Sequence, residues 1–396
     1  AENISTVNKF MDDLFTPSIA AAKMDIKYIA DYAKELDGID SLKPWDTSYY
    51  SEKLKEDKFG FDDEALRPFF SVDSVLKGAF EIAGKLYNLN FEKLENIQVF
   101  HPDVSVFEVT ENNEHIGLLY IDLFPRATKK SGAWMNELRS QGLTRGKVER
   151  PQVTLTCNLT KPTANTPSLL TLGEVETIFH EFGHCLHGLL SDCTYQSIGG
   201  TSVKWDFVEL PSQIMENWVT EKEALDLFAK HYKTGKEISE EIIEKVRSSR
   251  QFLSGLNSIR QLQFGYLDMS YHAVDPKEIL DPVAHEKEVL SKTQLLELID
   301  GTSISCSFSH IFAGGYSAGY YSYKWAEVLD ADAFEKFKED GIFNKETAKS
   351  FRENILSKGN LENPKELYMK FRGAEPSTDA LLKREGLIQY ANSIDE

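Results

Sequence analysis

Residues 180–184 read His-Glu-Phe-Gly-His. On a helix, side chains four positions apart stack on one face, so the His180 and His184 imidazoles can reach a single ion. Zinc is the ion this pattern implies. Glu181 directly follows the first histidine, so its carboxylate projects beside the ion rather than onto it, where it can deprotonate metal-bound water. It is the candidate general base. The competing reading is two core histidines and a solvated glutamate on an amphipathic helix. In a chain with nine histidines, that reading needs the pattern to fall by accident on a capped helix.

The capped helix is itself legible. Thr171 is a good N-cap and Glu174 the other half of a capping box, while Val175, Ile178, Phe179, Phe182, Leu186 and Leu189 recur at helical spacing. A zinc catalyst usually keeps three protein ligands and leaves the fourth position to water. His187, three residues beyond His184, is turned partly away and reads as a packing or surface residue. A carboxylate from a following helix is the remaining option. Glu209 sits near a helix start marked by Pro211, in an otherwise apolar stretch. From spacing alone it is equally a ligand or an acid favoured by the helix dipole. Asp206 and Glu216 fall on neighbouring turns, where either could accept a hydrogen bond from a ligating imidazole or be an exposed acid.

A second group lies between His310 and Tyr323. Gly314-Gly315 gives a flexible or tight turn, and Tyr316, Tyr320 and Tyr323 would share one face of a helix over Tyr316–Leu329. Phenols suit donation to a developing oxyanion; an aromatic packing stripe is the alternative.

The rest of the chain must position these groups. Its 396 residues, 41% hydrophobic and 27% charged, fit a soluble globular protein of one or two domains. With 44 basic against 63 acidic side chains, the net charge of -19 repels nucleic acid and anionic membranes. No apolar run is long enough to span a bilayer, and the first residues read as an acidic amphipathic helix rather than an export signal, which points to the cytoplasm. Cys157, Cys185, Cys193 and Cys306 lack paired spacing and read as reduced, mostly buried thiols. Helical stripes are expected over Val7–Leu14, Ile19–Leu36, from about Tyr49, and over Val72–Leu86. Strands are expected at Ser105–Val109, Gly117–Phe124 and Gln152–Leu159, the first two joined by the turn Glu111–Glu114. Beyond Glu216 the pattern is helix after helix, including Ile238–Val246, Phe252–Tyr271, Thr293–Leu298 and Asp332–Glu339. The architecture is mainly α with a small β-sheet beside the metal helix, where a bound peptide could add as an extra strand.

These motifs carry a resemblance. HEFGH followed by WDFVELPSQIMENW, with HPDV upstream, YIDLFPR and GAWM between, FSHIFAGGYSAGYYSY downstream and the closing FRGAEPSTDALLKREGL, resembles the zinc peptidases comprising thimet oligopeptidase, neurolysin, bacterial oligopeptidase A and peptidyl-dipeptidase Dcp. The similarity extends over almost the whole chain. It implies a multi-helix zincin-type metallopeptidase catalytic domain, with residues 1–100 a helical lead-in, 101–210 the sheet and zinc-binding helix, and 211–396 a helical subdomain. It also implies one Zn2+ per chain on His180, His184 and Glu209, and hydrolysis of short peptides without a covalent intermediate. By resemblance Tyr320 and Tyr323 stabilise the tetrahedral intermediate, His310 and Tyr316 help hold substrate, and Gly314 and Gly315 belong to a mobile loop. The departure is at the front, where the family has a long helical N-terminal half that this chain largely lacks. It is therefore expected to be an active oligopeptidase or peptidyl-dipeptidase, or else a zinc-loaded but inactive peptide-binding half that needs the missing segment. Removal of C-terminal dipeptides would need a cation for the substrate's free carboxylate, for which Arg250, Arg260 and Lys324 are candidates.

Overall fold

The computed structural model describes residues 1–60 and 63–391. Helix α1 runs from Ile4 to Asp37, capped by the Asn3 side chain and ended by Gly38 in the left-handed region. The two helices expected there are one, because Pro17 is accommodated inside it. An interior proline costs about 3 kcal/mol. The buried stripe Val7, Met11, Leu14, Ala21, Ala22, Ile29 and Ala33 offsets this by packing. Helix α2 (Pro44–Phe59) starts earlier than expected, with proline in its first turn and the Asp46 carboxylate accepting from Lys43 N at 3.0 Å. Helix α3 (Val72–Tyr87) is capped by Ser71 and stopped by Asn88 at φ 59°.

Seven strands follow: β1 (Leu89–Leu94), β2 (Ser105–Glu111), β3 (Glu114–Asp122), β4 (Trp134–Arg139), β5 (Gly142–Thr144), β6 (Lys147–Glu149) and β7 (Gln152–Thr156). The main sheet has the order β1-β2-β3-β7-β4, with β3 and β7 parallel and the other pairs antiparallel; β5 and β6 form a separate hairpin. The expected β2–β3 hairpin turns on Asn112 and Asn113, both at positive φ (51° and 66°). β1 replaces an expected turn after α3, and β4 was not expected.

Helix α4 (Leu172–Leu189) carries the histidine pair and is followed by α5 (Leu210–Glu216), α6 (Lys222–Phe228), α7 (Glu240–Arg250), α8 (Ser254–His272), α9 (Pro282–Leu290) and α10 (Ser309–Phe312). The chain continues through α11 (Ser322–Asp340), α12 (Lys345–Phe351), α13 (Pro364–Arg372), α14 (Thr378–Arg384) and α15 (Ile388–Ala391). Two expected helices are corrected. Gln294–Leu298 is irregular, and the helix expected from Tyr316 begins only at Ser322.

The chain divides into two compact units. One gathers Ala1–Phe61, Lys245–Val328 and Ser377–Glu396; the other gathers Asp62–Glu244 and Leu329–Pro376. The second contains the sheet, α4 and α5. Its core includes a ring cluster in which Phe80 stacks on Phe91 at 4.3 Å and Phe182 of α4 lies 5.7 Å from Phe91. The first contains α1, packed on α8: at Gly255 an added Cβ would stand 2.5 Å from Ala22 N. No described helix is long and apolar enough to cross a membrane.

Candidate metal centre and the tyrosine turn

Helix α4 is fixed at its N-terminus by a reciprocal capping box: Glu174 N donates to Thr171 Oγ1 at 3.1 Å and Thr171 N to Glu174 Oε2 at 2.9 Å. Val175, Ile178, Phe179, Phe182 and Leu186 are fully buried, which orients the helix and leaves His180 and His184 half-buried on another face. α5 approaches α4 at Gly183, where a Cβ would stand 2.1 Å from Pro211 O. Only glycine permits that approach, and it carries Glu209, immediately before α5, to the histidine pair.

His180 Nε2 and His184 Nε2 each lie 3.2 Å from Glu209 Oε2. The three ligand atoms lie within 4.8 Å of one another, a group able to hold a metal ion. Atoms held tetrahedrally at about 2.0–2.1 Å from a zinc-sized ion stand roughly 3.3–3.4 Å apart, so the spacing fits one. Glu209 is buried and its Oε2 also accepts from Ser212 Oγ at 2.8 Å. On the far side of the ring, His180 Nδ1 meets Glu216 Oε1 at 2.7 Å. Glu216, one of the two acids singled out, therefore orients this imidazole, whereas Asp206 is half-buried on the preceding turn.

Glu181 is buried, and its Oε2 has no hydrogen-bond partner among the described residues. Burial pushes its carboxyl above the ordinary range against the opposing pull of His180 and His184. Burial also raises Glu216, against its hydrogen bond with His180. At Glu209, burial is outweighed by the two imidazoles, which hold the carboxyl below its usual range. Burial would lower His180, but Glu209 and Glu216 carry it up to about 10. Three carboxylates crowd two imidazoles, a charge balance that suits a divalent cation. His187 is wholly buried with neither ring nitrogen partnered among the described residues, and burial lowers it to about 3.

The second group is built differently from the helical face expected for it. Residues 316–321 form a turn before α11, with Ala318 at φ 54°. Asp268 of α8, fully buried, imposes it: Asp268 Oδ1 accepts from Ala318 N and Oδ2 from Tyr320 N, both at 2.8 Å. Gln261 Oε1 accepts from the Tyr320 hydroxyl at 3.1 Å, and burial pushes that phenol up to about 12. Tyr316 and Tyr323 still stack at 5.3 Å, Tyr320 lies 5.3 Å from Tyr323, and His310 lies 5.9 Å from Tyr316 and 6.0 Å from Tyr320. The four rings thus form one cluster through a turn rather than through helical spacing. Gly315 adopts φ 85°, and at Gly314 a Cβ would stand 2.9 Å from the His310 backbone. Asp268 escaped sequence reading because backbone N–H partners leave no residue-type signal, and Gln261 because its partner, the Tyr320 hydroxyl, lies far from it in sequence. Of the cations considered for a substrate carboxylate, Lys324 is buried between Glu327 (2.6 Å) and Glu385 (2.7 Å). Arg260 lies 4.9 Å from the Phe264 ring centre and lines a cavity with His310 and Tyr320. Arg250 ends α7.

The model of peptidase family M3 matches residues 1–387, and the chain belongs to that family. It is 41% identical over 394 residues to oligopeptidase A of Escherichia coli strain K12, covering 98% of this chain and 58% of that protein. It is 36% identical over 382 residues to the dipeptidyl carboxypeptidase of the same organism, covering 96% of this chain and 56% of that one. The chain therefore spans a little over half the length of these relatives. Among solved structures, PZ peptidase A with inhibitor 2 superposes with a TM-score of 0.57 at 16% identity, covering 99% of this chain and 59% of that chain, a likeness of fold.

Proposed function

We propose that this chain hydrolyses peptide bonds in short peptides, with one zinc ion held by His180, His184 and Glu209. The observation that carries the reading is the convergence of those three ligand atoms beside a buried Glu181 oxygen that has no partner among the described residues. Two imidazoles and one carboxylate are a donor set typical of catalytic zinc. When bound, such an ion acts as a Lewis acid, activating water and polarising the scissile carbonyl.

The protein's own groups do the rest. Glu216 holds the Nδ1 side of His180, leaving Nε2 as the atom that would hold the ion. Glu181 takes the proton from the attacking water and delivers it to the amide nitrogen as the C–N bond breaks, so water is divided between the new carboxylate and the new amine. Its raised carboxyl suits a group that must hold and then release that proton. β4, last in the sheet order, offers an edge along which substrate backbone can pair.

For the ring cluster we propose the roles the family resemblance implies. Tyr323 and Tyr320 donate to the oxyanion, and His310, Tyr316 and the Gly314-Gly315 turn help hold substrate. Tyr323→Phe should then lower kcat by about 100-fold, the scale of losing one oxyanion donor, with KM little changed. An unchanged kcat returns Tyr323 to a packing role.

A second reading follows from the share of the relatives that the chain spans: a metal-loaded peptide-binding half that turns nothing over alone. Metal analysis together with cleavage of a quenched fluorescent peptide, with and without a chelator, separates the two. Chelator-sensitive cleavage supports the hydrolase; bound metal without cleavage supports the second reading.

A further inference from the structure

In a chain of net charge -19, one concave surface is basic. Arg139, the last residue of β4, and Arg145, Lys147 and Arg150 in and beside the β5–β6 hairpin line an open pocket of about 640 Å³ with His115 and Glu149. None of the four cations has a carboxylate partner among the described residues. Arg139 Nε donates to the Arg150 carbonyl at 2.9 Å. Two acids beside the pocket are already engaged: Glu108 holds His115 at 2.8 Å, and Glu149 accepts from Gln196 Nε2 at 3.1 Å. Residues 139–150 therefore carry four cations and one carboxylate, a local charge of +3 (4 − 1). Like charges gathered this way repel one another unless an anion joins them.

The hairpin that presents them is anchored. Leu143 N donates to Thr194 O at 2.9 Å, the turn at Arg145-Gly146 takes positive φ at both residues (52° and 77°), and Gly142 sits where a Cβ would meet Gln196 Cγ at 2.5 Å. Leu143 and Val148 are 49% and 56% exposed beside the cations, an apolar rim suited to aliphatic stems. Among the described residues β4 pairs with β7 alone, so a peptide added along its other edge runs to the pocket at Arg139.

We propose that this pocket is a carboxylate subsite for a peptide lying along β4, giving the chain a preference for acidic peptides. The proposal rests on the peptide-binding reading above, whether or not turnover occurs. The carboxylate could be an Asp or Glu side chain or the peptide's own C-terminus; the chemistry recognised is the same.

Fluorescence anisotropy with labelled peptides tests it directly. The set is a neutral alanine-rich peptide, its variants with a single Glu or Gln walked through each position, and each as C-terminal acid or amide. At low salt, Glu at one or two adjacent positions should tighten binding about 5–10-fold over Gln, and the advantage should vanish in the Arg145→Ser, Lys147→Ser double variant and near 1 M salt. The neutral amidated peptide should bind that variant as it binds the unmodified chain. If instead the acid form alone gains, at every Glu position, the terminal carboxylate is the ligand. Equal binding of Glu and Gln peptides with no gain for the acid form, equal weakening of all peptides by the double variant, or no peptide binding at all overturns the subsite. Chelator-sensitive cleavage of the neutral peptide is scored separately, so a failed hydrolase reading and a failed subsite give different results.

Discussion

Glu181 concentrates the proposed chemistry in one carboxylate: buried, raised, and with one oxygen lacking a partner among the described residues. Glu181→Gln keeps all three ligand side chains, so the variant should retain metal while kcat falls by at least about 100-fold. Cleavage at the unmodified rate would remove Glu181 from the mechanism. His187 makes a different statement about the same helix. Its pKa of about 3 in the folded chain lies below the ordinary 6.5, so between those values the unfolded chain binds a proton that the folded chain refuses. Stability is therefore full above about pH 6.5 and declines as pH falls toward 3, with a slope from this group of up to about 1.4 kcal/mol per pH unit. His187→Leu should flatten that part of the profile in denaturant titrations across the window. A difference from the unmodified chain that does not change with pH would contradict the assignment. At this scale much was legible. The histidine pair and Glu181 follow from residue type and spacing, whereas spacing alone left Glu209 divided between ligand and helix-start acid and Glu216 between imidazole partner and exposed acid. The family resemblance pointed to Glu209, and the fold puts it 3.2 Å from both rings and Glu216 2.7 Å from His180.

Between elements, the metal centre depends on how closely α5 approaches α4. Gly183 lies inside the histidine motif, yet its contact is with Pro211 and Ser212 of α5 rather than with any ligand. Gly183→Ala should push that backbone back, draw Glu209 away from the imidazoles and weaken metal affinity by about 10-fold or more, read by competition against a chelating dye. Unaltered affinity would mean that the approach is not what sets Glu209. Helix α4 was readable because its caps and apolar stripe agree. The tyrosine turn was not: Tyr316, Tyr320 and Tyr323 have helical spacing, but buried Asp268 captures two backbone N–H groups and holds Ala318 left-handed, so tertiary hydrogen bonding overrides the local pattern. β4 was missed for a related reason. As an edge strand with residues such as Asn136, Glu137 and Arg139 exposed or half-buried, it lacks the alternation that marks β3.

For the whole molecule, the mainly helical architecture with one small sheet was readable from periodicity, while the division into two units was not. Each unit is assembled from segments distant in sequence, and local patterns carry no record of which segments meet. The strongly acidic balance makes the basic pocket beside β4 stand out. Family membership is settled over nearly the full chain, but the relatives are longer, so what this chain does alone must be measured on this chain. The most direct measurement is a zinc titration of the metal-stripped protein, following peptide cleavage and bound metal together, with Glu209→Gln alongside. Cleavage should rise with zinc to a plateau at one ion per chain, and Glu209→Gln should need far more zinc to reach any activity. Cleavage indifferent to zinc, or a fully loaded chain that cuts nothing, would contradict the hydrolase reading.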